Sequence, residues 1–423
     1  MKMTAEHIYW STILAVIVGL LSTGCDGCTT SAEATPFTTT QALELPFAEG
    51  HRGFSGALVS NKAGNHVYIL DEGHQRGYDE HYGQWYIFTV VSSADGDFEI
   101  LETLRSDEHF KAIHGALLSN DEQRLYVFDA DKPALAVFSR DQDSGELSAQ
   151  ETIELPKSDL PFAPKLMQMP QRQDVYLMGN DKDALVVSWD EETKSHKILD
   201  RKYSRGLRGE RMVSATEGPF RYINPSWRDA EIKVLEETER EVSSQRFRSY
   251  MTRQTVDLDA EFSIRMVALI ALSPDENHFY VVGNRDNQAS VIAFSRDSET
   301  GHLEDPQVTA LRNHIGIGDF DLFDFITFSP SGEHLFLSHK GLFYTFERDP
   351  KSGAINRVLL GDEEVHGHPV SLGINHNPTR SGASHAVFLP HLSRAYGIRY
   401  DKEFIAVELP GEDKIKEFKA STE

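Results

Sequence analysis

The feature that most restricts how this chain can fold is a repeat about 52 residues long. Three stretches can be laid over one another: Ser119-Asn-Asp-Glu-Gln-Arg-Leu-Tyr-Val-Phe, Ser273-Pro-Asp-Glu-Asn-His-Phe-Tyr-Val-Val and Ser329-Pro-Ser-Gly-Glu-His-Leu-Phe-Leu-Ser. An aromatic residue follows the serine by seven positions in each, at Tyr126, Tyr280 and Phe336. A second signature, Phe-x-Arg-Asp-x-x-x-Gly-x-aliphatic, follows at Phe138, Phe294 and Phe346, with Gly145, Gly301 and Gly353 seven positions on. Phe294 and Phe346 are 52 residues apart, and Phe138 and Phe294 are 156 apart, three times as many, so two further copies are expected between them.

Each copy reads as short strands. Ile113 to Ser119, Arg124 to Asp129, Ala134 to Ser139 and Glu146 to Glu154 are runs of strand-forming residues separated by Asp, Asn, Ser and Gly, which supply the backbone conformations of tight turns. Such a four-stranded antiparallel meander cannot bury both faces alone, so copies must stack, and radial stacking gives an all-β propeller. Weaker copies are read at 51–104, 163–199 and 365–417, and a seventh at 206–258, where Glu231 to Val242 could equally be a short helix. Residues 51–417 are therefore expected to form seven blades, with six blades and an inserted helical hairpin as the alternative, and 418–423 a C-terminal tail.

The N-terminus carries an address. An apolar run from Ile8 to Leu21 has the length of a signal-peptide core rather than of a membrane span. It closes on Leu21-Ser22-Thr23-Gly24-Cys25, which resembles the lipobox of bacterial lipoproteins, although Ser22 stands where the common pattern has leucine. The resemblance implies removal of residues 1–24, lipidation of Cys25 and a membrane anchor, with 25–50 as a polar tether. An uncleaved anchor or an ordinary secretory signal are the alternatives. The expected location is the bacterial cell envelope, on the periplasmic or extracellular side.

Composition excludes several functions. Cys25 and Cys28 are the only cysteines, so the body has no thiol nucleophile, thiolate metal site or disulfide framework. The formal charge of −24 repels a phosphate backbone, so nucleic acid is not an expected partner. No Walker A, Gly-x-Ser-x-Gly or haem-attachment pattern is present, no cofactor or metal is called for, and a monomer is expected.

The combined pattern Ser-Pro-Asp, Leu-Tyr-Val and Phe-x-Arg-Asp-x-x-x-Gly resembles the seven-bladed propeller lactonase family, which includes bacterial 6-phosphogluconolactonase and fungal carboxymuconate cyclase. The resemblance covers most of the chain after residue 50 and implies four functional positions. His114, five residues before Ser119, takes the place of the family's histidine, within Ala-Ile-His rather than His-x-His. Lys165, after Pro164, stands where the family has arginine, and Asp181, after Gly179-Asn180, where it has glutamate. Arg285, in Gly-Asn-Arg, keeps the family's arginine, while Leu269 replaces an acidic residue.

Lactone hydrolysis at these positions would use His114 or Asp181 as general base, with Lys165 and Arg285 stabilising an oxyanion or holding an anionic substrate. Lysine lacks arginine's bidentate fork, and aspartate is about 1 Å shorter than glutamate, changes that weaken such a site. The alternative is a non-catalytic propeller whose charged groups surround a hydrated axis and which binds a protein or carbohydrate partner. Three further clusters read more simply. His366, His368 and His376 are loop histidines rather than metal ligands. Asp319, Asp321 and Asp324 are solvated carboxylates rather than a calcium site. Arg201, Lys202, Arg205, Arg208 and Arg211 form a solvated connection that could touch anionic headgroups or a partner.

Overall fold

A computed structural model of the chain describes residues 38–46, 56–71, 85–92, 97–106, 113–129, 132–161, 165–170, 172–179, 181–199, 204–209, 211–216, 218–226, 229–242, 245–285, 288–311, 323–339, 342–357, 386–389, 394–399 and 403–408. All belong to one compact unit, Pro36–Glu423; the other unit, Met1–Thr35, lies outside the described residues, as do Cys25 and the apolar run before it. Among the described residues no helix is long and apolar enough to cross a membrane.

Seven antiparallel sheets of four strands each make the seven-bladed propeller that the repeat predicts. Blade 1 comprises β2 (Gly56–Ser60), β3 (His66–Asp71), β4 (Trp85–Ser92) and β5 (Phe98–Ser106). Blade 2 holds β6 (Ile113–Leu118), β7 (Arg124–Asp129), β8 (Ala134–Arg140) and β9 (Leu147–Glu154). Blade 3 holds β10 (Lys165–Gln168), β11 (Val175–Met178), β12 (Leu185–Asp190) and β13 (Ser195–Ile198). Blade 4 is β14 (Arg211–Ser214), β15 (Phe220–Asn224), β16 (Glu231–Val242) and β17 (Gln245–Asp257). A five-residue helix, α1 (Leu258–Phe262), capped by the Asp257 carboxylate, leads into blade 5. That blade is β18 (Ile264–Leu272), β19 (His278–Arg285), β20 (Gln288–Arg296) and β21 (Leu303–Ala310), and blade 6 is β22 (Phe323–Phe328), β23 (His334–His339), β24 (Leu342–Arg348) and β25 (Ile355–Arg357).

Blade 7 is built from both ends of the chain. Its strand order is β26 (Ala386–Leu389), β27 (Arg394–Arg399), β28 (Glu403–Glu408) and then β1 (Thr38–Glu44), with Leu43 opposite Phe404 and Glu44 opposite Glu403. The polar-tether reading is thereby corrected over Thr38–Glu44, which is strand: Leu43 and Leu45 pack into the core shared by blades 7 and 1, and the β-branched threonines before them suit an extended backbone. Residues 365–385, the start of the window read as this blade, lie outside the described residues.

The window 206–258 is a full blade and not a helical hairpin. Ile232, Val234 and Leu235 face buried neighbours, and β16 pairs with β17 from Glu231↔Asp257 to Val242↔Gln245. The first strands of neighbouring blades approach one another and so line the ring axis. Between blades, alternating side chains of the second and third strands interdigitate: Tyr68 and Leu70 of blade 1 meet Leu125 and Val127 of blade 2, and the same pattern recurs round the ring.

Candidate functional site

The four positions singled out in the sequence fall at one end of their blades, where first strands begin and second strands finish. His114 follows Ile113, which opens β6 opposite Asp129, the last residue of β7; the His114 side chain itself lies outside the described residues. Lys165 opens β10 opposite Met178, which ends β11, and Asp181 stands three residues beyond Met178. Arg285 ends β19 opposite Ile264, the first residue of β18. Lys165 is half-buried, whereas Asp181 and Arg285 are exposed. Blades 2 and 3 are neighbours, so His114, Lys165 and Asp181 occupy adjoining strand ends; Arg285 stands two blades away from Lys165.

The loops around the blade 3 positions are tied down. Lys182 Nζ donates to the carbonyls of Ser158 at 2.8 Å and Leu160 at 2.9 Å, which holds the connection from blade 2 beside Lys165. Asp183 accepts from the Gly206 amide at 3.3 Å and pairs with Arg208 at 3.3 Å, which fixes the start of the next connection. The basic cluster thus has a structural role at Arg208, and the Arg205 backbone bridges to Ser249; Arg201 and Lys202 lie outside the described residues.

Sequence reading missed a ring of buried polar groups at the same blade end. Asp71, Asp129 and Asn224 are fully buried and Asn284 nearly so, each at or next to the end of its blade's second strand. Asp71 and Asp129 each follow the repeat's tyrosine by three residues, a spacing visible in the sequence once the repeats are aligned. Asp129 accepts from the Lys132 amide at 3.0 Å, and Asn224 Nδ2 donates to the carbonyls of Asp229 and Glu231 at 2.9 and 3.1 Å, so these groups mainly satisfy loop backbone. Asn284 Oδ1, beside Arg285, is buried without a hydrogen-bond partner among the described residues.

The opposite blade end is where the repeat's tyrosine, arginine and glycine act. Tyr280 donates to the Gly353 carbonyl at 2.8 Å and accepts from Arg348 Nε at 2.8 Å, linking blade 5 to blade 6. Arg348, buried, also donates to Gly332 O at 3.0 Å, to Asp275 and to His278 Nδ1 at 2.7 Å. Blades 1 and 2 repeat this with Tyr68, Gly145, Arg140 and His66, and blades 4 and 5 with Tyr222, Gly301 and Arg296. Burial, then the neighbouring guanidinium, holds His66 and His278 below the ordinary imidazole pKa, while burial pushes the Tyr68 and Tyr280 hydroxyls up to about 12. The motif that signals the family resemblance is therefore an inter-blade latch.

Among the described residues no group of three His, Cys, Asp or Glu is arranged to hold a metal ion. His366, His368, His376, Asp319 and Asp321 lie outside the described residues, and Asp324 is on β22 with its side chain undescribed.

This is a seven-bladed β-propeller. Among solved structures it is similar to a periplasmic gluconolactonase, PpgL, of Pseudomonas aeruginosa, at 15% identity over 71% of this chain and 83% of that one, with a TM-score of 0.50. It is also similar to Sqt1 of Chaetomium thermophilum, at 12% identity over 87% of this chain and 98% of that one, with a TM-score of 0.53. The β-propeller domain of Cps50 (Swd1) from Myceliophthora matches at 11% identity over 88% and 99%, with a TM-score of 0.50. No family model matches the chain, and no curated protein matches it. Likeness at such identities shows the fold alone.

Proposed function

We propose that this protein is an exported, lipid-anchored lactonase-like propeller that opens a small anionic lactone at the blade end carrying His114, Lys165, Asp181 and Arg285. The observation that supports this most is positional: four residues matched by motif alone, across 172 positions of sequence, all fall at the same end of their blades. Positions matched by chance would divide between the two ends.

In this reading His114 or Asp181 takes a proton from water as the oxygen attacks the lactone carbonyl. Lys165 and Arg285 oppose the negative charge that gathers on the carbonyl oxygen or the substrate's own anion. The intermediate collapses with cleavage of the ring C–O bond, and the conjugate acid of the base returns the proton to the departing alkoxide, giving a hydroxy acid. Export separates the enzyme from cytosolic sugar phosphates, so the substrate is placed outside that class.

The test is hydrolysis of a lactone panel by the purified protein. His114→Ala and Arg285→Ala are each expected to lower kcat/KM by about a hundredfold or more, in the range seen for loss of a general base or an oxyanion partner. A panel that is hydrolysed no faster than in buffer, or as fast by both variants as by the wild type, rejects the enzymatic reading and leaves the propeller as a binding module. Anchoring is tested separately: labelled fatty acid should enter the wild type and not Cys25→Ser.

A further inference from the structure

The latch is inverted at one junction. In the register of blade 4, Tyr222 faces Val234 as Tyr126 faces Val137 in blade 2, which sets Glu237 in the place of Arg140. Where blades 2, 5 and 6 turn at Asp-x-x-x-Gly, blade 4 continues as the long β16–β17 hairpin. In blades 2 and 6 that turn lies against the preceding blade, with an added Cβ on Gly145 only 2.7 Å from the His66 ring and on Gly353 only 2.4 Å from the His278 ring. No such turn covers the junction of blades 3 and 4, and a cleft of about 660 Å³ opens there, lined by Arg172, Arg221, Arg248, Gln173, Asp174 and Thr216 among others.

Three guanidiniums gather round one buried carboxylate. Glu237 contacts Arg172, meets Arg221 at 2.9 Å and lies 3.6 Å from Arg248. Arg248 also pairs with Asp174 at 2.8 Å and with the exposed Glu239 at 3.2 Å, and Glu239 lies 4.0 Å from Arg172. Three cations thus meet three carboxylates, of which Glu237 and Asp174 are enclosed and Glu239 is exposed. Arg172 and Arg248 keep about a fifth to a quarter of their side-chain surface open, and both line the cleft. Gln173 Oε1 is buried there with no hydrogen-bond partner among the described residues, an acceptor suited to a ligand hydroxyl. The cleft lies among the turns that join first to second strands, at the blade end opposite His114 and Lys165.

We propose that this cleft binds a small hydroxylated molecule carrying a carboxylate or a phosphate, its oxyanion held by Arg172 and Arg248 and its hydroxyl by Gln173. The guanidinium fork suits either oxyanion.

Calorimetric titration of the full chain at constant ionic strength, with glycerate, glycerol 1-phosphate, acetate and inorganic phosphate as probes, tests this. Saturable binding of glycerate or of glycerol 1-phosphate is expected, and the arm that saturates assigns the oxyanion. Arg172→Gln, in which Glu237 keeps Arg221, should weaken it by about tenfold or more. Gln173→Leu, which leaves every ion pair in place, should weaken the hydroxylated probe several-fold and leave the plain anion unchanged, so the idea stays testable if the arginine variant fails to fold. His114→Ala should bind as the wild type does, which separates this site from the lactone reading. No saturation up to about 10 mM, or equal binding by wild type and Gln173→Leu, overturns the proposal.

Discussion

At the scale of single residues, the latch explains which substitutions the ring tolerates. Gly353 has φ +73°, and a Cβ there would fall 2.4 Å from the His278 ring, whereas Gly218, at φ +88°, has nothing within 4 Å. Gly353→Ala should therefore cost about 2 to 4 kcal/mol, strain plus overpacking, and Gly218→Ala only about 1 to 2 kcal/mol, strain alone; chemical denaturation of both would show equal losses if the turn did not pack on the histidine. His66 and His278 accept from arginine through Nδ1, which requires the neutral ring. Because the unfolded chain takes up these protons more readily, their contribution is complete above the ordinary imidazole pKa of about 6.5 and drains away as pH falls below it toward the lowered folded values. The melting temperature should decline between pH 7 and pH 5, less steeply in His278→Gln; a flat profile would refute the assignment. Asp275, whose ionisation is opposed by burial but favoured more by Ser273 and Arg348, loses its contribution only at still lower pH.

Elements show where the repeat bends its own rule, and why. Blade 3 lacks the Arg-Asp-x-x-x-Gly turn: Trp189 replaces the arginine and Lys194, at φ +51°, replaces the glycine. The cation moves to the partner blade, where Arg124 stacks 3.7 Å over Trp189, and Tyr126 bonds His196 Nε2 at 3.0 Å in place of a glycine carbonyl. Among the described residues Lys194 pairs only with exposed Glu191, so Lys194→Gly should stabilise the protein by about 0.5 to 1 kcal/mol by removing left-handed strain; an unchanged or lower midpoint in a thermal melt would contradict this. Blades 2, 5 and 6 were legible because their turns keep the full motif. The third and fourth were legible mainly by period, since a swapped cation or a lengthened hairpin erases the local signature while leaving the strand pattern. The candidate site was legible only as positions, because nothing in a linear spacing records which neighbouring loops, such as those held by Lys182 and Asp183, come to surround them.

For the whole molecule, closure is the controlling feature. Blade 6 carries Phe336 where six other blades carry a buried tyrosine, and the reason is topological: the last two strands of blade 7, β28 and β1, come from opposite termini and have no turn between them to offer a glycine carbonyl. The outermost strand was unreadable at Thr38–Glu44 for the same reason, its partner standing some 360 residues away. Gln41 extends the closure to blade 1, donating to Phe98 O at 3.0 Å and accepting from Phe98 N at 2.5 Å. Deleting residues 38–44 should leave six blades and an unpaired β28 edge, with broader, less cooperative unfolding and a tendency to self-associate in light scattering; a monodisperse variant melting like the wild type would show that β1 is dispensable. A ribosome makes β1 first and its partner last, and 359 residues separate Glu44 from Glu403. At about 5 to 20 residues per second, β1 waits roughly 20 to 70 s for its strand partner, so during biosynthesis it is an unpaired edge open to pairing with other nascent copies.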